Sequence, residues 1–403
     1  MRLCALIYIC VAFQPLDFIY EGVAVSIFKK KNIAEEELMK EELSAAEEHA
    51  PSEEELAQLK KEKKLKRRRR QRFWDRVAGF IIVTVLVVGC SCLGLEYVLV
   101  KGPSPALGEL FINTMYETRR FRFIPQIFLT EDEVAEIRKT EEIDKSTQSD
   151  TSLINISSPE DKTVDGVDAY GLVDEDGDGI IFQEVKGNGF MGYMTVILDP
   201  TRVFVGMPDS YGGVGLTLEQ MVEKYDALGG INAGGFKDDG GGGFGGIPEG
   251  LTIIDGVVYN QDMGMSHPIA GLDKDGVLHV GYYTYDDCRA TNIVNAVSFG
   301  PVLITNGEPA PAETLASSVN PRTAIAQRAD GAIIMLVIDG RQVHSIGATY
   351  QDMVDMLLSY GAVNACNMDG GSSTVMHYGG EYVNSCSADN GQPRPLPNAF
   401  LFK

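Results

Sequence analysis

The hydrophobic and polar positions divide the chain into a charged N-terminal part, one long apolar run and a C-terminal part of short apolar segments separated by glycines. Residues 34–66 are rich in Glu, Lys, Leu and Ala, which predicts a polar, solvated helix that would form a charged stalk. Residues 77–95 are nineteen consecutive uncharged residues, and a helix of that length, at about 1.5 Å per residue, nearly spans a bilayer core. No polar stripe interrupts this run, as one would in a helix on a soluble core. We therefore predict a single transmembrane helix over residues 77–100.

The charges on either side of the apolar run predict its orientation. Residues 60–72 hold ten Lys/Arg and one acid, whereas Glu96 and Lys101 border the other end. Because positive residues are retained on the cytoplasmic side, we expect residues 1–76 to be cytoplasmic and the chain beyond residue 100 to be extracellular. The basic run could also be a nucleic-acid tail, although beside a span it more often determines topology. Residues 3–13 are apolar but short, and a second membrane contact, a signal-like segment and a misplaced start all fit them.

From about residue 164 the pattern changes to short β-like runs separated by glycine turns. Residues 217–228 and 349–360 open with capping patterns and are followed by Gly229 and Gly361, which predicts two capped helices that end at glycine. Each is then followed by a short apolar strand, an Asn and a glycine-rich loop, and six of nineteen aligned residues are identical. We hypothesise that these two helix–strand units bring their glycine loops to one face. Strands are expected at residues 193–198, 203–205, 251–254, 277–285, 302–305, 333–338 and 399–402.

These patterns divide the chain into four parts. They predict many short strands and tight loops with a few helices in one large external domain, rather than a helical bundle. A charged helical stalk and a single transmembrane helix precede this domain, and a helical neck joins the two. The expected parts are a cytoplasmic segment over residues 1–76, the transmembrane helix over 77–100, an external neck and linker over 101–163, and the domain over 164–403.

Charge and composition narrow the possible partners. Residues 1–100 hold 16 Lys/Arg against 15 Asp/Glu, whereas residues 101–403 hold 19 against 42, so no nucleic-acid partner is expected. The histidines lack zinc-ligand spacing and the sequence has no phosphate-binding loop, so we expect no cofactor. Asp174, Asp176 and Asp178 match the start of a calcium-binding EF-hand loop, but the next acid falls one residue short of the last ligand position. A solvated acidic turn is favoured there over a calcium site.

The strongest candidate for chemistry is the segment N-M-D-G-G-S-S-T at residues 367–374. Asp369 could act as an acid, a base or a nucleophile beside a bound phosphate. The glycines let the backbone approach a ligand and present N–H groups to an anion, and the hydroxyls can donate further hydrogen bonds. The alternative is an ordinary Asp-Gly turn between strands. The residues assigned to substrate binding here are Gly370, Gly371, Ser372, Ser373 and Thr374.

Three further segments carry candidate residues: N-A-G-G-F, N-P-R-T-A and V-I-D-G-R. In the second, Arg322 follows a proline at a strand entrance and could clamp a phosphate oxygen bidentately. In the third, Asp339 and Arg341 follow an apolar strand. A salt bridge at the strand end explains these two residues as well as a functional role does. The candidates that these segments supply are Asn232, Gly234, Gly235, Arg322, Asp339 and Arg341.

Five motifs occur in order along the C-terminal part: N-A-G-G-F at 232–236, N-P-R-T-A-I at 320–325, V-I-D-G-R at 337–341, N-M-D-G-G-S-S-T at 367–374 and N-G-Q-P-R-P-L-P-N-A-F at 390–400. Together they resemble the phosphodiester glycosidase domain family. The resemblance covers about residues 165–403. It implies the fold class α+β, with mixed β-sheets and a few helices. It also implies that the domain hydrolyses a sugar joined through its anomeric oxygen to a phosphodiester.

For the reaction that the resemblance implies, we hypothesise a role for each candidate residue. Asp369 is the first choice and Asp339 the second for stabilising the positive charge that develops on the sugar. Arg322 and Arg341 would hold the phosphate against the negative charge of the domain, and Asn232 would help to orient the substrate. The expected function is a membrane-anchored extracellular glycosidase acting on a sugar-1-phosphodiester in a cell-surface glycopolymer or exopolysaccharide, with protein partners unspecified. The alternatives are a non-catalytic glycopolymer-binding or exopolysaccharide-assembly module, and an enzyme that cleaves the phosphorus–oxygen bond instead.

Overall fold

A computed structural model describes residues 52–118, 121–139, 147–209, 211–237, 243–260, 264–388 and 391–403. The chain divides into two compact units, Met1–Val98 and Leu99–Lys403. The predictions for residues 3–13 and for the stalk before residue 52 lie outside the described residues.

Helix α1 (Glu53–Lys101) is one continuous helix of 49 residues that holds the described part of the stalk, the basic run and the predicted span. Ser52 caps the start of this helix. The Ser52 hydroxyl accepts from the Glu55 N–H, and the Glu55 carboxylate accepts from the Ser52 N–H at 3.0 Å. Within the described part of the chain, α1 is the one helix long and apolar enough to cross a membrane, and the residues of its apolar stretch are not buried by the protein.

Two shorter helices follow where the sequence predicts a helical neck, α2 (Pro105–Glu117) and α3 (Glu131–Ile137). Ser104 caps α2, and the proline at its first position is suited to a helix start. Thr130 and Glu133 form a reciprocal capping box at the start of α3. The two helices share a small apolar cluster built from Ile112, Leu129 and Val134.

Short strands dominate the rest of the second unit. In chain order, the described strands are β1 (Thr163–Val164), β2 (Val167–Asp168), β3 (Ile180–Gly187), β4 (Phe190–Ile197), β5 (Val203–Gly206), β6 (Gly229–Asn232), β7 (Thr252–Ile254), β8 (Val257–Asn260), β9 (His267–Asp273), β10 (Leu278–Tyr283), β11 (Ile293–Ser298), β12 (Val302–Thr305), β13 (Glu308–Pro309), β14 (Arg322–Arg328), β15 (Ile333–Ile338), β16 (Ala362–Met368), β17 (Met376–Tyr378), β18 (Glu381–Tyr382) and β19 (Ala399–Phe402).

The strands form three larger sheets and the small hairpin β1–β2. The large sheet has the order β13-β12-β16-β14-β15-β4-β3, the outer sheet β10-β9-β11-β7-β8, and the C-terminal sheet β18-β17-β6-β19-β5. Every strand pair in the described residues is antiparallel, so the α+β class is confirmed but the expectation of mixed sheets was wrong. The reason is partly local, because the short turns that join β3 to β4, β9 to β10 and β14 to β15 suit antiparallel pairs, whereas parallel neighbours need a long crossover.

Three helices pack on these sheets, α4 (Leu218–Tyr225), α5 (Tyr285–Ala290) and α6 (Tyr350–Ser359). The two predicted capped helices are confirmed, with Thr217 and Thr349 forming capping boxes at α4 and α6. Gly361 follows α6 with φ +81°, as predicted. The prediction that Gly229 ends α4 was wrong: Asp226 takes the left-handed conformation there, with φ 51°, and Gly229 begins β6.

The large sheet is buried on both faces. Even-numbered residues of β15 pack in one apolar cluster with Met353 and Leu357 of α6. Odd-numbered residues of β15 pack in another with Ile231 and Phe400 of the C-terminal sheet and Leu278 of the outer sheet. This burial on both faces explains why I-I-M-L-V-I is apolar at every position of β15.

Candidate active site

The ends of three central strands meet at one edge of the large sheet. Strand β14 lies between β15 and β16 and is antiparallel to both, so β15 and β16 end at the edge where β14 begins. Thr323, near the start of β14, is paired with Val337 on one side and Met368 on the other. Asp339 and Asp369 therefore leave the same edge, two strand spacings or roughly 10 Å apart along the sheet.

Asp369 opens a tight glycine loop and is itself half-buried. Its N–H donates to the Ala233 carbonyl at 2.9 Å. Gly371 has φ +61°, a conformation that favours glycine. A Cβ on Gly370 would lie 2.9 Å from the Pro321 carbonyl oxygen, which is too close. Both glycines are thus required by the fold of the loop, whatever the loop binds.

The polar groups of this loop are only partly open to a ligand. The N–H groups of Gly371, Ser373 and Thr374 already donate to main-chain carbonyls at 3.0–3.3 Å. Between residues 370 and 374, the amides left for an anion are at most those of Gly370 and Ser372. Ser373 and Thr374 are also buried, whereas Ser372 is half-buried. Of the three predicted hydroxyls, Ser372 is therefore the most accessible.

Asn232 positions the Asp369 loop from beneath. Its buried side-chain amide donates to the Asp369 carbonyl at 2.5 Å. Its Oδ1 accepts from the Thr323 hydroxyl at 2.9 Å and from the Val375 N–H at 3.1 Å. These bonds join β6, β14 and the loop that begins at Asp369. The role that they support for Asn232 is to hold Asp369 in position. Together with the Asp369–Ala233 bond, they confirm the hypothesis that the two glycine loops meet on one face.

Gly234 and Gly235 allow close packing by other parts of the domain. The Gly234 N–H donates to Oδ1 of Asn398 at 2.7 Å, and a Cβ on Gly235 would lie 2.9 Å from the Phe299 ring. Asn398 belongs to the last sequence motif but was not among the predicted site residues. Its Nδ2 is buried and has no hydrogen-bond partner among the described residues.

Asp339 is fully buried, unlike Asp369. Its Oδ1 accepts from the Ser385 N–H at 2.9 Å and from the Asn384 side chain at 3.3 Å, and its Oδ2 lies 3.0 Å from Nε2 of His344. The His344 side chain is 40% exposed. Asn384 also donates to the Thr374 carbonyl at 3.1 Å, which ties this cluster to the glycine loop. A buried Asp that orients an exposed His is an arrangement suited to proton transfer by the His.

Arg322 is engaged by the fold. It donates to the Ser318 hydroxyl at 2.7 Å and to the Ala348 carbonyl at 3.2 Å, and its guanidinium lies 3.4 Å from the Glu117 carboxylate. The ring of Tyr350 packs against the guanidinium, 3.8 Å from its centre. These contacts favour a structural role for Arg322, and its use as a phosphate clamp stays a prediction.

Arg341 lies against the glycine loop. It adopts a left-handed conformation, with φ +59°, and donates to Oδ1 of Asn320 at 2.8 Å. Its two terminal nitrogens lie 3.5 and 3.6 Å from the place where a Cβ of Gly371 would be. Asn320 in turn donates to the Glu117 carboxylate at 2.6 Å. The end of α2 thus helps to position Arg341 beside the loop.

Arg394 approaches the same loop and was missed by the sequence analysis. It donates to the Ser372 hydroxyl at 3.3 Å, and its guanidinium lies 4.6 Å from the centre of the Phe236 ring. The residue is part of the motif P-R-P-L-P-N-A-F, so its presence could have been noted, but its approach to Ser372 depends on the tertiary fold. Two guanidinium groups therefore approach the loop: that of Arg394 donates to Ser372, and that of Arg341 lies close to Gly371.

The acidic loop before β3 brings its three carboxylates together. Oxygen atoms of Asp174, Asp176 and Asp178 all lie within 4.8 Å of one another. They also accept main-chain N–H groups, including that of Gly177 at 3.0 Å and that of Ile180 at 2.7 Å. Burial and the neighbouring carboxylates raise the pKa of Asp178, against the effect of its bond from Ile180. Calcium binding here stays a prediction.

The loops that follow β15 and β16 lie in a region that matches a known family. Residues 225–403 match the family model of the phosphodiester glycosidase domain, NAGPA. The match contains both strand-end loops as well as Arg341 and Arg394, and it begins later than residue 165, from which the resemblance was expected. The resemblance to phosphodiester glycosidases is thereby confirmed for the part of the chain that holds the candidate site.

Individual relatives are similar at low identity. The chain is 30% identical over 202 residues to the SPbeta prophage-derived uncharacterized protein YomE of Bacillus subtilis, covering 47% of this chain and 29% of that protein. It is 26% identical over 207 residues to human N-acetylglucosamine-1-phosphodiester alpha-N-acetylglucosaminidase, covering 46% and 39%. The zebrafish structure of that enzyme's catalytic domain, auto-inhibited by its pro-peptide, has 24% identity, a TM-score of 0.47 and coverage of 55% and 81%. The sequence matches thus span less than half of these relatives' own lengths.

Proposed function

We propose that the C-terminal unit hydrolyses the bond between the anomeric carbon of a sugar and the oxygen of a phosphodiester. The observation that carries this proposal is the half-buried Asp369 in a glycine loop that Arg341 and Arg394 both approach. Two cations offset the charge of a phosphodiester, which the negative charge of the domain would otherwise repel. A carboxylate beside them suits the positive charge that develops on the sugar.

The reaction that we assign to this site breaks one bond and forms one. The bond from C1 of the sugar to the bridging oxygen breaks, and its electron pair leaves with the phosphate, whose charge Arg341 and Arg394 stabilise. Asp369 stabilises the cationic sugar, and the oxygen of a water molecule forms the new bond to C1. The proton of that water passes to a base, for which His344, oriented by the buried Asp339, is our candidate. The products are a free sugar and a phosphate monoester.

We further propose that the chain is anchored in the cell membrane by α1, with its N-terminus in the cytoplasm and its C-terminal unit outside. The apolar stretch of α1 and the basic run before it support this orientation. The substrate would then be a sugar-1-phosphodiester in a cell-surface glycopolymer or exopolysaccharide. The name of the human relative makes α-linked N-acetylglucosamine the first sugar to try.

The test uses the full chain in phospholipid nanodiscs with the methyl ester of N-acetylglucosamine-1-phosphate. We expect mass spectrometry to find free N-acetylglucosamine and methyl phosphate in equal amounts. The matched control is Asp355→Asn, an exposed Asp on α6, which should retain the activity that Asp369→Asn loses. Binding of the ester without release of sugar would contradict the proposal and favour a non-catalytic binding module.

A further inference from the structure

An apolar groove of about 420 Å³ lies beside Arg341. One wall is the face of α2 that carries positions 107, 110, 111, 114 and 115, whose spacing of three and four places them on one side of the helix. Val319 and Ile346 contribute to the other wall. The rim is unusually apolar for a surface, because Leu107 is 48% and Ile346 61% exposed. Contiguous exposed apolar surface of this kind is typical of a binding site.

Arg341 joins this groove to the glycine loop. It is the charged residue of the lining, and its terminal nitrogens lie within 3.6 Å of the Cβ position of Gly371. Asn320 and Glu117 hold it in place through the bonds described above. A phosphate bound by Arg341 would therefore have the Asp369 loop on one side and the apolar groove on the other. A molecule that fits both places therefore carries a phosphate for Arg341 and an apolar group for the groove.

We propose that the groove binds an alkyl or isoprenoid chain esterified to the phosphate, so that the substrate is an amphiphilic sugar-1-phosphodiester. This inference rests on the proposed function and specifies its leaving group. Leu99, which lines the groove, lies at the end of the predicted transmembrane span over residues 77–100, and Leu107 lies eight residues further along the chain. A lipid-linked substrate held in the same membrane would present its chain near these residues. Each methylene buried in such a groove contributes roughly a fourfold gain in affinity.

The hydrolysis test compares the methyl and dodecyl esters of N-acetylglucosamine-1-phosphate on the full chain in nanodiscs. We expect kcat/KM to be at least about tenfold higher for the dodecyl ester. Leu107→Asn and Ile346→Asn should each lower the dodecyl-to-methyl ratio of kcat/KM several-fold. The matched control is Val343→Asn, because Val343 is a fully exposed β-branched residue of the same loop that does not line the groove. Equal kcat/KM for the two esters, or a ratio that the groove variants leave unchanged, would overturn the inference.

A binding measurement separates this inference from the proposed function. Dodecyl phosphate is titrated into the full chain and into Ile346→Asn, with methyl phosphate as the comparison. Tighter binding of dodecyl phosphate that Ile346→Asn weakens supports the groove, even if neither ester is hydrolysed and the proposed function fails. No preference for dodecyl phosphate would overturn the groove, even if the methyl ester is hydrolysed. A dimer that Ile346→Asn dissociates, in a chain that binds no alkyl phosphate, would also overturn it, because a second copy would then be the occupant.

Discussion

The segments that follow β15 and β16 begin with the same dipeptide, Asp-Gly, and leave the same edge of the large sheet, yet their carboxylates have opposite surroundings. Asp339 is covered by residues 384–385: its Oδ1 accepts two hydrogen bonds from that segment, and its Oδ2 faces His344. Asp369 is half-buried and is followed by two glycines, which have no side chains with which to cover it. The same two letters of sequence thus produce one buried and one accessible acid.

This difference teaches that the segment packed over a strand end decides the role of the residue there. A buried carboxylate whose bonds hold several segments together stabilises the fold, and its loss leaves donors unsatisfied. A carboxylate that keeps access to solvent near cationic groups is suited to chemistry. We therefore expect Asp369 to control activity directly, and Asp339 to control stability and to affect activity only through the orientation of His344. The following experiments try to break that division.

The largest effect is expected for Asp369→Asn. The substitution removes the negative charge that would stabilise the cationic sugar, so kcat/KM for sugar release should fall about 1000-fold. The change is nearly isosteric at a half-buried site, so the melting temperature should stay close to that of the parent. Activity is measured by release of N-acetylglucosamine, and a value within about threefold of the parent would contradict the assignment.

Asp339→Asn should act mainly on stability. An amide at this site can keep its oxygen on the Ser385 N–H and the Asn384 side chain only by turning its NH2 toward Nε2 of His344, and it replaces charge-assisted hydrogen bonds by neutral ones. We therefore expect a loss of about 2–4 kcal/mol in the free energy of unfolding. Denaturant titration measures this loss, and Asp355→Asn on the exposed side of α6 serves as the control. Unchanged stability together with an activity as low as that of Asp369→Asn would reverse the roles of the two acids.

Glu117→Gln tests whether the end of α2 supports the site. The Glu117 carboxylate accepts from Asn320 and Ser318 and lies 3.4 Å from the buried Arg322. Because Glu117 is partly exposed, removing its charge should cost about 1–2 kcal/mol of unfolding free energy. Hydrogen exchange at residues 318–322 should also become faster. Glu109→Gln on the same helix is the matched control, and equal behaviour of the two variants would show that α2 is only a connector.

The smallest effect concerns the pH dependence of folding around the loop. His377 lies in β17, just after the loop segment, and burial lowers its pKa against the opposing charges of Glu219, Glu223 and Glu381. The unfolded chain therefore takes up this proton first as the pH falls through about 6.5, and stability falls with it. Unfolding free energies at pH 8 and pH 5.5 should differ less in His377→Gln than in the parent. An identical pH dependence in the two proteins would contradict this role of His377.

Much of the fold could be predicted from local patterns. The residues expected as strands at 302–305, 333–338 and 399–402 coincide with β12, β15 and β19, because runs of apolar residues bounded by glycine or polar residues define them. The capping patterns at Thr217 and Thr349 also located two helix starts, because a capping box is formed by residues only three positions apart. Sheet order and antiparallel pairing could not be predicted, since they depend on contacts between distant residues.

The candidate site was predictable as a set of motifs but not as an arrangement of side chains. Asp369 and Arg341 were named from the sequence, and the structure brings Arg341 to the glycine loop. The burial of Arg322 could not be foreseen, because its partner Glu117 lies on a neck helix far away in sequence. The contact between Arg394 and Ser372 could not be foreseen either, because it also depends on how separate segments of the chain pack together. A motif identifies residue types, whereas the segments that cover them decide which atoms remain accessible.

The central claim is that the Asp369 loop supports cleavage between the sugar carbon and the phosphodiester oxygen. Its most direct test is hydrolysis of the methyl ester of N-acetylglucosamine-1-phosphate by the full chain in water labelled with ¹⁸O, followed by mass spectrometry of both products. Cleavage at the carbon puts the water oxygen on the sugar, so we predict one label in N-acetylglucosamine and none in methyl phosphate. A label in the phosphate product, or no release of sugar, would contradict the account.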